Sequence, residues 1–277
     1  MKCFIIIFGV AKGDGMEISM KNLMRYNYYR TRHNMLSYLI LLICCVIAFV
    51  FTDESYLTDP IVVNTPQSLT GVFMNEVADA GIANILIVGC YVTFEFAGNL
   101  KQRCINYELI SGNSRNKVFI SHYAYSFILS GSMITVSLLV GCCKYGLTDW
   151  VITIWNNIAY FLRSILFIYI LSFSIISMCM IFAVLFKDTA KSTIVTFVFL
   201  FLSCYIMAAI ASAISGNSIV SAYEEPPLAL LFYPPYLWRW ILNPELQMSQ
   251  LLGVVTVAVL WCGSAFAIGN YFFEKME

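Results

Sequence analysis

The chain has 277 residues, of which 60% are hydrophobic and 12% charged, with 16 cationic against 16 acidic side chains and a mean hydropathy of +0.78. A soluble domain carries about 45–50% apolar and about 25% charged residues, so this composition excludes one and points to an integral membrane protein.

Crossing a hydrocarbon core of about 30 Å takes roughly 20 apolar residues in a helix, because lipid offers backbone amides no partners. Six stretches meet that need, near residues 35–52, 80–97, 119–142, 164–186, 192–214 and 250–273. Their continuous runs of Leu, Ile, Phe and Val lack the alternation of a transmembrane barrel. The expected fold is an all-α polytopic membrane protein, one transmembrane domain over residues 1–277 with six spans.

At the N-terminus, Met1-Lys2 followed by the apolar run Cys3 to Ala11 reads as a weak signal peptide without a small-x-small cleavage site. A start at Met16 or Met20 would make the same residues an extension; retention without cleavage is the expectation. Residues 17–33 read as an interfacial elbow helix. Met20, Leu23, Met24, Tyr28, Thr31 and Met35 share one side of a helical wheel, and Lys21, Arg25, Arg32 and His33 the other, which suits a helix lying among lipid headgroups. A plain basic flank before the first span explains the same cations.

The loop 53–79 after the first span is acidic, with Asp53, Glu54, Asp59, Glu76 and Asp79 and no Lys or Arg. Residues 99–117 then form a polar, basic connector between the second and third spans. If Asn99 to Ile110 is helical, Leu100, Cys104 and Tyr107 share one face while Ile105 and Leu109 project oppositely, as a helix wedged between two surfaces requires. Gly98 and Gly112 bracket it, glycine being suited to chain reversals at helix ends. Arg115 and Lys117 lead into the third span, where snorkelling to lipid phosphates is an equally good account of both.

Residues 215–249 precede the last span and are broken by Pro226-Pro227, Pro234-Pro235 and Pro244, leaving Leu228 to Phe232 and Tyr236 to Leu242 too short to span. Short re-entrant outer helices are expected there. Tyr233, Tyr236, Trp238 and Trp240 fit an interfacial aromatic belt equally well. Cations concentrate in residues 1–34, in the 99–117 connector, at Lys187 and Lys191, and at Lys275, so the positive-inside rule puts both termini in the cytoplasm.

Of ten cysteines, Cys44, Cys45, Cys90, Cys142, Cys143, Cys179, Cys204 and Cys262 fall in or at the ends of spans, and Cys3 and Cys104 on the cytoplasmic side. They read as small packing residues, not a disulfide framework. His33 and His122 are far apart and no CxxC occurs, so no metal cluster is expected. Ionisable residues are scarce within the spans, with Glu95 and Arg163 near span ends and His122 inside the third, which argues against an ion-coupled transporter. Glu224-Glu225 lacks a companion histidine motif, and no catalytic residues are expected.

Glu95-x-x-Gly98-Asn99-Leu100-Lys101, then Ser111-Gly112-Asn113-Ser114-Arg115 and Lys117-Val118-Phe119-Ile120-Ser121, resemble the connector between spans 2 and 3 of ABC-2 type permeases, the membrane subunits of ABC exporters. The chain departs from that family's pattern at Asn99, where threonine is usual. The resemblance implies an amphipathic elbow, six spans, both ends inside and re-entrant outer helices in a multi-pass protein of a bacterial inner or plasma membrane. It also implies that the connector is a coupling helix docked on a separate ATPase subunit, with Glu95, Gly98, Leu100, Lys101, Tyr107, Gly112 and Arg115 as contact or connector-ordering residues. ATP and Mg belong to that partner, since the chain has no G-x-x-x-x-G-K-[ST] loop, and no cofactor is expected on the chain itself. Expected partners are the ATPase, a second permease in a homodimer or heterodimer, and membrane lipid; no nucleic acid is expected. An antimicrobial peptide, a drug or a lipid-linked molecule are candidate cargoes. The alternative is a non-transporting immunity or sensor protein that binds a peptide or toxin.

Overall fold

The computed structural model describes residues 20–51, 66–102, 104–110, 112–144, 158–215 and 246–275, together with positions 234, 237 and 241. Expectations about residues 1–19, 53–65 and most of the 215–249 segment lie outside the described residues, whereas residues 66–79, expected as the rest of the acidic loop, are helical and continuous with the second apolar stretch. Those described are helical, with no strand among them: α1 (Met20–Arg32), α2 (Met35–Phe51), α3 (Pro66–Lys101), α4 (Cys104–Ile110), α5 (Arg115–Lys144), α6 (Ile158–Phe186), α7 (Thr189–Ser215) and α8 (Met248–Glu274).

Each of the six apolar stretches falls on one of these helices. Four stretches are long and apolar enough to cross a membrane: Ala83–Lys101, Arg115–Gly141, Ile158–Phe186 and Met248–Glu274. A fifth candidate is the pair α1 and α2, bent by 73° at His33 and Asn34, and α7 is apolar over Thr189–Ser203. The bend has a local cause. Asn34 leaves the helical path and its side-chain oxygen accepts the Leu36 amide at 3.1 Å, capping α2.

α3 and α6 form the centre: α3 packs against α2, α5, α6 and α7, and α6 against α3, α5, α7 and α8. Two apolar clusters fill the bundle. One gathers Ile85, Ile134, Phe167, Leu171, Leu200 and Leu251, and the other Val88, Phe96, Phe119, Tyr123, Met180 and Phe273. Leu237 and Ile241 join the first cluster, and the Ile241 amide donates to the Leu237 carbonyl at 3.0 Å. That turn lies within the stretch expected to form a short outer helix.

Lipid drives no hydrophobic collapse between helices, so close packing and interhelical hydrogen bonds must hold them together. Gly89 lets α3 approach α6 and α7, since a Cβ there would sit 3.0 Å from Cys179 Sγ and 3.3 Å from Leu200 Cδ1. Hydroxyls link these helices, and α6 to α8. Thr93 donates to the Cys179 carbonyl at 3.2 Å, Thr196 to the Thr93 hydroxyl at 3.3 Å, and Ser174 to the Ala258 carbonyl at 3.2 Å. Gly253 and Gly263 of α8, by contrast, have open space where a Cβ would point.

This difference yields a paired prediction. Gly89→Val overpacks the α3, α6, α7 contact and lowers stability in detergent by about 1–3 kcal/mol, whereas Gly263→Val leaves the unfolding midpoint unchanged.

Candidate functional site

Three polar cross-links bring one end of the bundle together. Arg30 of α1 reaches Glu95 of α3 at 2.6 Å, Lys101 of α3 reaches Asp188 between α6 and α7 at 2.8 Å, and Arg115 of α5 donates to the Glu274 carbonyl of α8 at 3.0 Å. The C-terminal ends of α3, α6 and α8 and the N-terminal ends of α5 and α7 therefore meet with α1. Arg25, Arg30, Arg32, Lys101, Arg115, Lys117, Lys187, Lys191 and Lys275 all belong to this cation-rich end.

Glu95 accepts three hydrogen bonds there. One carboxylate oxygen accepts from Arg30 at 2.6 Å and from the Thr31 hydroxyl at 3.1 Å, the other from the Tyr91 hydroxyl at 2.5 Å. Ser37 of α2 lies within hydrogen-bonding distance of both the Thr31 carbonyl and the Tyr91 hydroxyl, at 3.0 and 2.5 Å. With 8% of its side chain exposed, Glu95 depends on these donors for what water would otherwise supply. The network fixes α1 and the start of α2 onto α3. The buried face of α1 comprises Leu23, Tyr26, Asn27 and Thr31, and packs on α5, while Tyr28 and Met35 of the expected apolar side are exposed.

The connector has a shorter helix than the spacing implies. α3 runs through Asn99 and Leu100 to Lys101, and a separate helix, α4, begins at Cys104. Ile105 and Glu108, one turn apart, are buried, and Tyr107 and Ile110 on the other side are 46% and 78% exposed. The Glu108 carboxylate lies 3.0 and 3.2 Å from His122 Nε2 of α5, and the Phe96 ring packs 5.4 Å from the imidazole. Asn113 donates to the Glu108 carbonyl at 2.9 Å. Gly112 carries φ +91°, a conformation that side chains other than hydrogen resist, and so permits the turn into α5. The Ser114 hydroxyl accepts the Lys117 amide at 3.4 Å at the start of α5.

At the α6–α7 turn Lys187 takes φ 52° and Asp188 caps α7, its Oδ1 accepting the Ala190 and Lys191 amides at 3.0 and 3.2 Å. The hydrogen bond from Lys101, and then those amides, hold the Asp188 carboxyl below the ordinary carboxylate value.

Of the residues singled out from the sequence, Glu95, Lys101, Gly112 and Arg115 thus sit at cross-links or at the turn of this end, and Tyr107 on the exposed face of α4. Two differ from expectation. Gly98 does not end a helix; it lies inside α3, where a Cβ would be 3.5 Å from Thr189 Cγ2. Leu100 does not share an outward face with Tyr107, because the break after Lys101 separates their helices, and it packs against the inner apolar cluster. Spacing alone missed Arg30, Asp188, Glu108 and His122 as paired groups.

The Glu95 network predicts non-additive losses. Arg30→Ala and Glu95→Ala each lower unfolding stability in detergent by roughly 3 kcal/mol, the cost of breaking a buried pair from one side, and the double variant loses clearly less than the sum.

Comparison with known proteins adds a family. No curated protein matches the chain significantly. The family described as protein of unknown function, DUF2705, matches residues 40–233, from α2 through α7, including the whole connector. That is more than half of the 277-residue chain, and the chain belongs to the DUF2705 family.

Proposed function

We propose that the chain is the permease subunit of an ATP-driven ABC-2 type exporter, embedded in a bacterial inner or plasma membrane and powered by a separate ATPase. The observation that carries this reading is α4. It is a short helix between two apolar helices, held from inside by Ile105 and Glu108 while offering Tyr107 and Ile110 outward. Lipid anchoring requires no such piece; a docking partner does.

In this reading α2, α3, α5, α6, α7 and α8 are six spans and α1 is the elbow, lying along the headgroup layer at the 73° bend. The cation-rich end faces the cytoplasm by the positive-inside rule, and both termini with it. The partner ATPase uses ATP and Mg and closes on nucleotide. Its motion is delivered to α4 and from there to the spans, which open a path for an amphipathic or hydrophobic cargo between two permease copies, identical or not. The bundle then needs two packed arrangements, each favoured by one nucleotide state of the partner.

Purification from native membranes tests this. The wild-type chain brings down an ATP-hydrolysing subunit, and Tyr107→Asp with Ile110→Asp abolishes that capture while leaving the chain folded. Wild-type chain that carries no ATPase, or a double variant that still captures it fully, overturns the exporter reading in favour of a non-transporting bundle that binds a peptide or toxin.

A further inference from the structure

α4 has seven residues, too few for a helix to hold its shape without tertiary support. Its support is asymmetric in kind. Ile105, 3% exposed, supplies an apolar anchor that can slide against its neighbours, whereas Glu108 supplies a directional one. Glu108 and His122 have side chains 1% and 3% exposed, and both carboxylate oxygens lie within 3.2 Å of the same imidazole nitrogen. His122 is two turns into α5, beneath Phe96, and Ser126 donates to its carbonyl at 2.9 Å. The Asn113 side chain closes the loop by donating to the Glu108 carbonyl at 2.9 Å.

We infer that Glu108 and His122 are positioning residues forming a pin that makes α4 and the first turns of α5 one rigid lever, so that any push on α4 is delivered to the third apolar helix. The physical reason is the cost of the alternative. Moving α4 without α5 parts two groups that water cannot reach and forfeits the bond between them. α3 ends at Lys101, and α4 begins as a separate helix at Cys104. The first turns of α5 therefore move with α4. The purpose of this lever rests on the exporter reading; its existence does not.

Hydrogen exchange on the full-length protein in lipid nanodiscs tests the pin directly. Glu108→Ala, His122→Ala and the double variant each speed exchange of the α4 amides by at least about tenfold, and to the same extent, while α6 and α8 exchange as in the wild type. Glu108→Gln, which retains a hydrogen-bonding side chain of the same shape, restores protection to within about threefold. Single variants that leave α4 protection within about twofold, or effects that add in the double variant, overturn the pin. With an ATPase captured, Glu108→Ala keeps the complex but loses chain-dependent stimulation of hydrolysis, and Glu108→Gln retains it; full stimulation in Glu108→Ala overturns the lever. A chain that captures no ATPase defeats the exporter reading alone, since the exchange result still decides whether the pin exists.

Discussion

A carboxylate shielded from water must find its donors within the protein, and two that do so among the described residues, Glu95 and Glu108, determine how the cation-rich end is built. Glu95 gathers Arg30, Thr31 and Tyr91, and with them the helix that precedes the bundle and the start of α2. Glu108 reaches inward to His122 and ties down the short helix that follows α3. Neither acid lies at mid-bundle. Both sit where an apolar helix gives way to polar chain, the place where a buried charge can be satisfied without opening the core.

The remainder of the molecule makes this end rigid enough to matter. α3 connects Glu95 to the centre, since Gly89 and Thr93 fasten it to α6 and α7 within two turns of Glu95. Tyr123, one residue beyond His122, donates to Ser177 of α6 at 2.7 Å. Phe96, Phe119 and Phe273 stack the ends of α3, α5 and α8 into one aromatic group beneath α4. A displacement entering at α4 thus meets a packed layer that moves as a unit or not at all, which is the property that a two-state device needs.

How much of this was legible in the sequence follows from the range of each interaction. The helices were, because a stretch such as 164–186 has no backbone partners in lipid except its own. The glycine at position 112 was, because a polar turn between helices needs a residue that tolerates positive φ. Gly98 misled because it lies inside α3, where an added Cβ would meet only Thr189 Cγ2, 91 positions away, at an ordinary contact distance of 3.5 Å. Leu100 misled because one helix from Asn99 to Ile110 was assumed, and the break after Lys101 resets the phase of every later residue. Glu108 and His122 stand 14 positions apart across a turn, and each has an ordinary local reading, one as a connector acid and the other as a histidine inside a span. Arg30 was one cation among several in the N-terminal segment until the fold chose it for Glu95.

The account turns on which side of the membrane α4 faces. With the native cysteines replaced by alanine and Asn106→Cys introduced on the exposed side of α4, sealed right-side-out cells or vesicles are treated with a membrane-impermeant maleimide. The account predicts no labelling until the membrane is permeabilised. Labelling of the intact preparation would place α4 outside the cell, away from any ATPase, and would contradict it.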